Sequence, residues 1–214
     1  MTDVLVRCRG AGRAFGETVA LQPTELEVRA GERLALVGPS GSGKSTLLSL
    51  LAGLDDPTVG EISWPAIGER AALRPGAIAV VFQGPSLLPP LTLTENVALP
   101  MLLAGVAEPE AHERAAAALE TLGLTAEAER LPEEISGGQA QRAAVARALA
   151  VRARLILADE PTGQLDSATA AMVTDALLAA DAALVVATHD PRVADRLARR
   201  IMIRDGRITA EVPA

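Results

Sequence analysis

The sequence predicts an α/β fold: a parallel sheet flanked by helices and interrupted by a helical insert. Three observations carry this. Short, wholly apolar runs at 155–158 and 183–187 read as central parallel strands buried on both faces. A glycine-rich loop, Gly38-Pro39-Ser40-Gly41-Ser42-Gly43-Lys44-Ser45, joins an apolar strand-like run at 33–37 to a leucine-rich helical one that opens at Thr46. Between about Pro89 and Ala150 the pattern becomes helical and rich in alanine.

Taken in order, residues 4–9 and 19–28 alternate as strands, the second turning at Ala30-Gly31. After the glycine loop and its helix, the cluster Asp55-Asp56-Pro57-Thr58-Val59-Gly60 marks a turn. A short strand over 61–64 stops at Pro65, and a buried one follows over 77–82. Thr94 is expected to cap a helix over 95–103, and 108–122 reads as a second helix with its charges on one side. Ser136 is expected to cap a third helix running to Ala150. The chain closes with a hairpin, 200–204 and 207–212, around an Asp205-Gly206 turn. This organisation gives one domain over 1–214, with a core of 1–88 and 151–214 and a helical subdomain of about 89–150.

Composition narrows the function. Hydrophobic residues make up 49% of the 214 but aromatics only 1%, so the core must be aliphatic. A formal charge of -7 argues against a nucleic-acid binder, which needs a clustered basic face. The single Cys8, on an expected first strand, has no internal disulfide partner and suits a buried thiol and a reducing cytoplasm. Asp3 and Arg7 interrupt the N-terminal apolar stretch, so no secretory signal is expected there. No apolar run reaches the ~18 residues a membrane helix needs, and the longest candidate carries Glu95, Asn96 and Pro100.

The glycine loop fills every fixed position of G-x-x-x-x-G-K-[ST] in the strand–loop–helix context that the motif requires. Its backbone N–H groups are expected to cradle phosphates at a helix N-terminus. Lys44 would reach the β- and γ-phosphates, and the Ser45 hydroxyl would ligate Mg²⁺. About a hundred residues on, an apolar strand ends in Asp159-Glu160, whose side chains point differently at a strand end; Asp159 can serve Mg²⁺ while Glu160 faces an attacking water. Ser136-Gly137-Gly138-Gln139 opens a helix where two glycines allow a phosphate to approach.

In that order and spacing these motifs resemble the nucleotide-binding subunits of ABC (ATP-binding cassette) transporters over essentially the whole chain, which implies a P-loop, RecA-like core with a parallel sheet, an N-terminal antiparallel β subdomain and an inserted α-helical subdomain, together with ATP and Mg²⁺. The resemblance implies that Gln83 contacts Mg²⁺ and the attacking water, that Leu165-Asp166 belongs to a loop signalling across a dimer interface, and that His189 contacts the γ-phosphate. Phe15 stands where the family usually has an adenine-stacking tyrosine; the alternative is an aromatic covering a sheet edge. The phosphate cradle is implied at Gly38, Pro39, Ser40, Gly41, Ser42, Gly43, Lys44, Ser45 and Thr46, and Ser136, Gly137, Gly138 and Gln139 would close onto the ATP of a second subunit. The catalytic groups would then be Glu160, His189, Gln83 and Lys44, and the metal groups Ser45, Gln83 and Asp159.

The same resemblance implies a homodimer, or a heterodimer with a related ATPase, around two ATP molecules. It also implies an integral membrane permease as partner, a peripheral place on the cytoplasmic face of the cell membrane, and no nucleic acid. Gly53-Leu54-Asp55-Asp56-Pro57, Leu87-Leu88-Pro89 and Asp159-Glu160-Pro161-Thr162-Gly163 are similar to the lipoprotein-release, macrolide-efflux and cell-division type, whose permeases have few spans and an extracytoplasmic domain. A regulatory cell-division ATPase and the ATPase of a polar amino-acid importer stay open. Two departures stand out: Phe15 in place of tyrosine, and a short Pro-, Gly- and Ala-rich segment over 64–77 where relatives often carry a longer charged helix.

Overall fold

The computed structural model describes residues 3–213. Strand β1 (Val4–Phe15) pairs antiparallel with β2 (Thr18–Arg29) and with β4 (Val59–Ser63), giving a three-stranded sheet in the order β2-β1-β4. The second sheet runs β5 (Ile78–Val81), β6 (Leu155–Asp159), β7 (Ala183–Thr188), β3 (Arg33–Val37), β8 (Arg199–Arg204) and β9 (Arg207–Pro213). It is parallel through β8, and β9 returns antiparallel. Asp205 and Gly206 both take positive φ, 50° and 71°, as the tight hairpin predicted there requires.

The parallel strands serve two cores through their period of two. Leu34, Leu36, Leu155, Leu157, Val185 and Ile201 pack with helix α1 (Lys44–Leu51) and the inner face of the three-stranded sheet. Ala35, Val81, Ile156, Ala158, Leu184 and Val186 pack on the other side. There they meet α2 (Leu93–Leu103), α3 (Glu108–Thr121), α4 (Gly137–Ala150) and α5 (Ser167–Ala179). Buried alanines on α3 and α4 replace the missing aromatics by letting helices approach closely.

Three expectations are corrected. Thr92, not Thr94, caps α2: its Oγ1 accepts from Glu95 N at 3.2 Å while Glu95 Oε2 accepts from Thr92 N at 2.7 Å. Thr94 instead donates to the Ala128 carbonyl at 3.0 Å. Strands β1 and β2 each run 12 residues, meeting at a two-residue loop where Gly16 takes φ 58°. β4 begins at Val59 rather than at 61.

Segment 64–77 forms no long helix. It is a short 3₁₀ turn at Arg70–Ala72 followed by irregular backbone over 74–76. It closes the end of α1: Trp64 Nε1 donates to the Leu51 carbonyl at 2.9 Å, Arg70 to Gly53 O at 2.8 Å, and Arg74 to Ala52 O. Guanidinium groups on the last carbonyls of a helix answer its negative end.

Candidate nucleotide site

Parallel register brings four loops to one edge. Val37 lies opposite Thr188, Asp159 opposite Ala187, and Val81 opposite Ala158. The 38–45 loop, Asp159-Glu160, His189 and Gln83 therefore all leave the carboxyl ends of neighbouring strands, where ligands bind in open α/β sheets.

The glycine loop is shaped by its contacts. A Cβ on Gly38 would lie 2.1 Å from the Ile203 carbonyl, and one on Gly43, at φ 104°, would lie 2.5 Å from the Ala20 carbonyl. Only glycine fits at either place. Gly41 is different: it takes φ 75° but has open space around it. The loop is held from behind, Gly206 N donating to Ser42 O at 3.0 Å, so the β8–β9 turn braces it.

Lys44 is the only lysine in the chain. It is 6% exposed, and its Nζ donates to Gly38 O at 2.8 Å and Pro39 O at 3.0 Å. An ammonium group has a third proton left for a ligand. Ser42 Oγ, beside Gly38, is buried without a hydrogen-bond partner.

Asp159 ends β6 beside the start of α1. Burial pushes its carboxyl above the ordinary carboxylate range; a Ser45 hydroxyl bond and the Lys44 charge pull it back, while the Glu160 charge adds to the rise. Its Oδ1 is buried and unpaired. A hydroxyl next to an orphaned carboxylate oxygen is a hard-oxygen donor set that fits Mg²⁺, a cation bound by few protein groups together with phosphates. Among the described residues no group of three or more His, Cys, Asp or Glu gathers to hold a metal.

Glu160 takes φ 47°, a left-handed backbone rarely adopted outside glycine and found where function demands it. Its Oε1 lies 2.7 Å from His189 Nδ1, and its Oε2 accepts from Thr188 Oγ1 at 3.4 Å. The carboxylate side chain is 11% exposed and the imidazole 65%, so the pair runs from the interior to the surface. Thr188, fully buried, also accepts from Asp190 N at 3.0 Å, tying the Glu160 carboxylate to the loop that carries His189. Nothing in the sequence marks Thr188; only folding reveals it.

Gln83, at that same sheet edge, is exposed two residues beyond β5. Other predicted residues lie apart. Phe15, 52% exposed, ends β1 with the Arg13 guanidinium 4.5 Å from its ring centroid. Asp166 caps α5, accepting from Ala168 N at 3.0 Å, Thr169 N at 3.1 Å and Thr169 Oγ1 at 2.6 Å. The Thr169 hydroxyl, first among these, holds the Asp166 carboxyl below its usual range. Ser136 caps α4 through a reciprocal pair with Gln139: Gln139 N donates to Ser136 Oγ at 3.2 Å and Ser136 N to Gln139 Oε1 at 2.8 Å. Gly137 and Gly138 lie near Gln164 and Leu165. Among the described residues no hydrogen bond joins 136–139 to the glycine loop.

Cys8 is buried, and burial, with the Glu25 charge, pushes its thiol up to about 12. It is a core thiol, not a nucleophile.

The family model described as ABC transporter matches residues 21–163, which span the glycine loop, Gln83, 136–139 and Asp159-Glu160. The chain belongs to the ABC transporter ATP-binding family. The chain is 45% identical over 98% of its length to the lipoprotein-releasing system ATP-binding protein LolD of Legionella pneumophila (strain Paris), covering 99% of that protein. It is also 45% identical to the ABC transporter ATP-binding protein YknY of Bacillus subtilis (strain 168), over 91% of this chain and 87% of that one. A solved dimeric cassette in a post-hydrolysis state with ADP and Pi superposes with TM-score 0.87 at 36% identity, over 97% of this chain and 98% of that one. The chain is thus an ATP-hydrolysing cassette, the ATPase subunit of an ABC transporter.

Proposed function

We propose that two copies of this chain, or one copy and a related ATPase, sandwich two ATP molecules, and that closure drives a membrane permease of the lipoprotein-release, efflux or mechanotransmission type. The observation that carries the proposal is the separation within one chain. The glycine loop, Asp159, Glu160 and His189 gather at one sheet edge, while Ser136–Gln139 begin a different helix with no bond to them. A second molecule would bring the missing half. The dimeric solved cassettes similar to this chain support that reading.

In the assembled site the N–H groups of 38–46 and Lys44 hold the phosphates, and Ser45, Asp159 and Gln83 hold Mg²⁺. The cation, when bound, neutralises charge on the β- and γ-phosphates. Glu160 accepts the proton of the attacking water, and its bond to His189 Nδ1 keeps the carboxylate oriented while the imidazole reaches toward the γ-phosphate. Phe15 offers a ring face to the base, and Asp166 stands at the dimer-facing end of α5. Residues 1–88 and 151–214 act as the nucleotide core, and about 89–150 as the helical subdomain that moves against it.

The permease would meet the chain at a groove of about 500 Å³ between these two parts, lined by Leu54, Phe82, Leu99, Pro100 and Leu103. Leu103 is 70% exposed, unusual for a leucine without a partner. Buried Asn96 fixes the 88–92 loop that leads into α2, accepting from Leu88 N at 2.7 Å and donating to the carbonyls of Leu88, Leu91 and Thr92. No helix among the described residues is long and apolar enough to cross a membrane, so the spans would belong to the partner, with this subunit peripheral on the cytoplasmic face. Similarity to LolD, the ATP-binding protein of a lipoprotein-releasing system, supports the lipoprotein-release type among these.

Glu160→Gln tests the core of this reading. Turnover should fall by at least ~100-fold, the scale of a lost general base, while ATP now yields a persistent dimer in size-exclusion chromatography with light scattering. Unchanged turnover would remove Glu160 from its role, and a monomer at saturating ATP would end the sandwich.

A further inference from the structure

The exposed ring of Phe15 is not free-standing. The Arg13 guanidinium lies over one of its faces, 4.5 Å from the centroid. That guanidinium is itself fixed by a two-pronged bridge to Asp55, with Nε to Oδ2 and Nη2 to Oδ1 both at 2.8 Å. Asp55 Oδ1 also accepts from Asp56 N at 2.8 Å. Both partners of the bridge are about three-quarters buried, with side chains 23% and 26% exposed. Asp55 lies four residues past the end of α1, the helix whose first turn carries Lys44 and Ser45. A planar fork of this kind gives direction as well as attraction.

We infer that Arg13 is a positioning residue for the base. It holds the Phe15 ring in one orientation by stacking on one face, and through Asp55 it ties that ring to the far end of the phosphate-binding helix. The inference rests on the reading of Phe15 as the base platform. A phenylalanine at a strand end has no hydroxyl to anchor it, so an unbraced ring would lose orientation each time it bound. With one face covered by a cation, the other remains for a purine, and the platform and the phosphate cradle become parts of one rigid body. The expected signature is selective: affinity for whole nucleotides depends on Arg13, whereas affinity for the phosphate chain alone does not.

The test measures binding of MgATP and of inorganic tripolyphosphate by calorimetry to the full chain and to Arg13→Ala, Phe15→Ala and the double variant. Phe15→Ala should weaken MgATP by about tenfold or more, the scale of a lost base stack. Arg13→Ala should weaken it about two- to fivefold, the scale of an exposed cation–π contact, with tripolyphosphate unchanged. The double variant should bind like Phe15→Ala alone, because the two residues act through one ring. Asp55→Asn, which leaves the guanidinium but loosens its fork, should reproduce the Arg13→Ala loss in part and serves if Arg13→Ala folds poorly. Equal weakening of MgATP and tripolyphosphate by Arg13→Ala would overturn the inference, as would full additivity. Unaltered MgATP binding in Arg13→Ala while Phe15→Ala is weakened would overturn it and leave Phe15 as the platform. An unaffected Phe15→Ala would instead retire the platform reading itself.

Discussion

Two helix starts in this molecule are built in opposite ways. Helix α1 opens at Gly43 in a left-handed conformation, with no side-chain cap and no acidic residue in its first turn. Helix α4 opens at Ser136 with a complete reciprocal cap, each of Ser136 and Gln139 satisfying the other's backbone N–H. The first four N–H groups of any helix lack partners inside the helix. At α1 no side chain among the described residues answers them, so they are available to an anion and the positive helix end favours it. At α4 two of the donors are already used, leaving the N–H groups of Gly137 and Gly138 and the Ser136 hydroxyl proton. The first is a cradle that depends on its ligand; the second is a finished surface that can be offered to one held elsewhere.

The sharpest way to break this contrast is to add one methyl group to each start. Gly43→Ala places a Cβ 2.5 Å from the Ala20 carbonyl at φ 104°. The loop must then shift; MgATP affinity should fall by at least ~100-fold, and melting should drop with a strain cost of about 1–3 kcal/mol. Gly137→Ala meets only Gln164 Oε1 at 3.6 Å, an ordinary contact. Its melting temperature and monomer MgATP binding should match wild type. Equal damage from both would show that the two starts are not differently built.

Ser136→Arg sharpens the division of labour. A bulky cation at the cap should leave MgATP binding by a single chain intact yet abolish both the ATP-dependent dimer and turnover. A dilute chain carrying that substitution and hydrolysing ATP at the wild-type rate would mean that the site is complete within one molecule.

Much of the α1 site was legible because its constraints are local. Gly38, Gly43, Lys44 and Ser45 follow a fixed spacing, and the Asp205-Gly206 turn announces itself. What folding added is long-range: Gly38 and Gly43 are required not only by loop curvature but because Ile203 and Ala20 press on them from β8 and β2. The choice between Thr92 and Thr94 as cap was equally hidden. Both threonines suit the task, and the Ala128 carbonyl, 34 residues away, claims the second. Helix α5 escaped sequence reading because Ser167–Ala179 is apolar on nearly every side and shows no helical period, although Asp166 offered a cap. Segment 64–77 lacks any period, since its job is to set Trp64, Arg70 and Arg74 on the carbonyls ending α1.

A smaller effect concerns what it costs to keep α1 ready. Asp159 sits beside its first turn with its carboxyl raised by burial and with Oδ1 unpaired. A carboxyl raised in the folded state binds its proton more tightly there than when unfolded. Its contribution is therefore favourable in acid, below the unfolded value near ~4, and is lost as pH rises through the folded one. Without nucleotide and Mg²⁺, Asp159→Asn should melt above wild type at neutral pH. That gap should close on acidification. A variant melting below wild type at pH 7 would show that the buried charge is already compensated.

The smallest effect belongs to α4. Ser136→Ala removes one half of the reciprocal cap and nothing else, since the Ser136 side chain has no other partner among the described residues. Loss of a serine cap costs about 1 kcal/mol, so melting should fall by ~2–4 °C with MgATP binding to the monomer unchanged. Turnover should fall further than that stability loss explains, because in the proposed sandwich the hydroxyl is also one of the donors offered to the partner's ATP. If turnover tracks stability alone, Ser136 is a cap and the contact across the dimer is made by the Gly137 and Gly138 backbone.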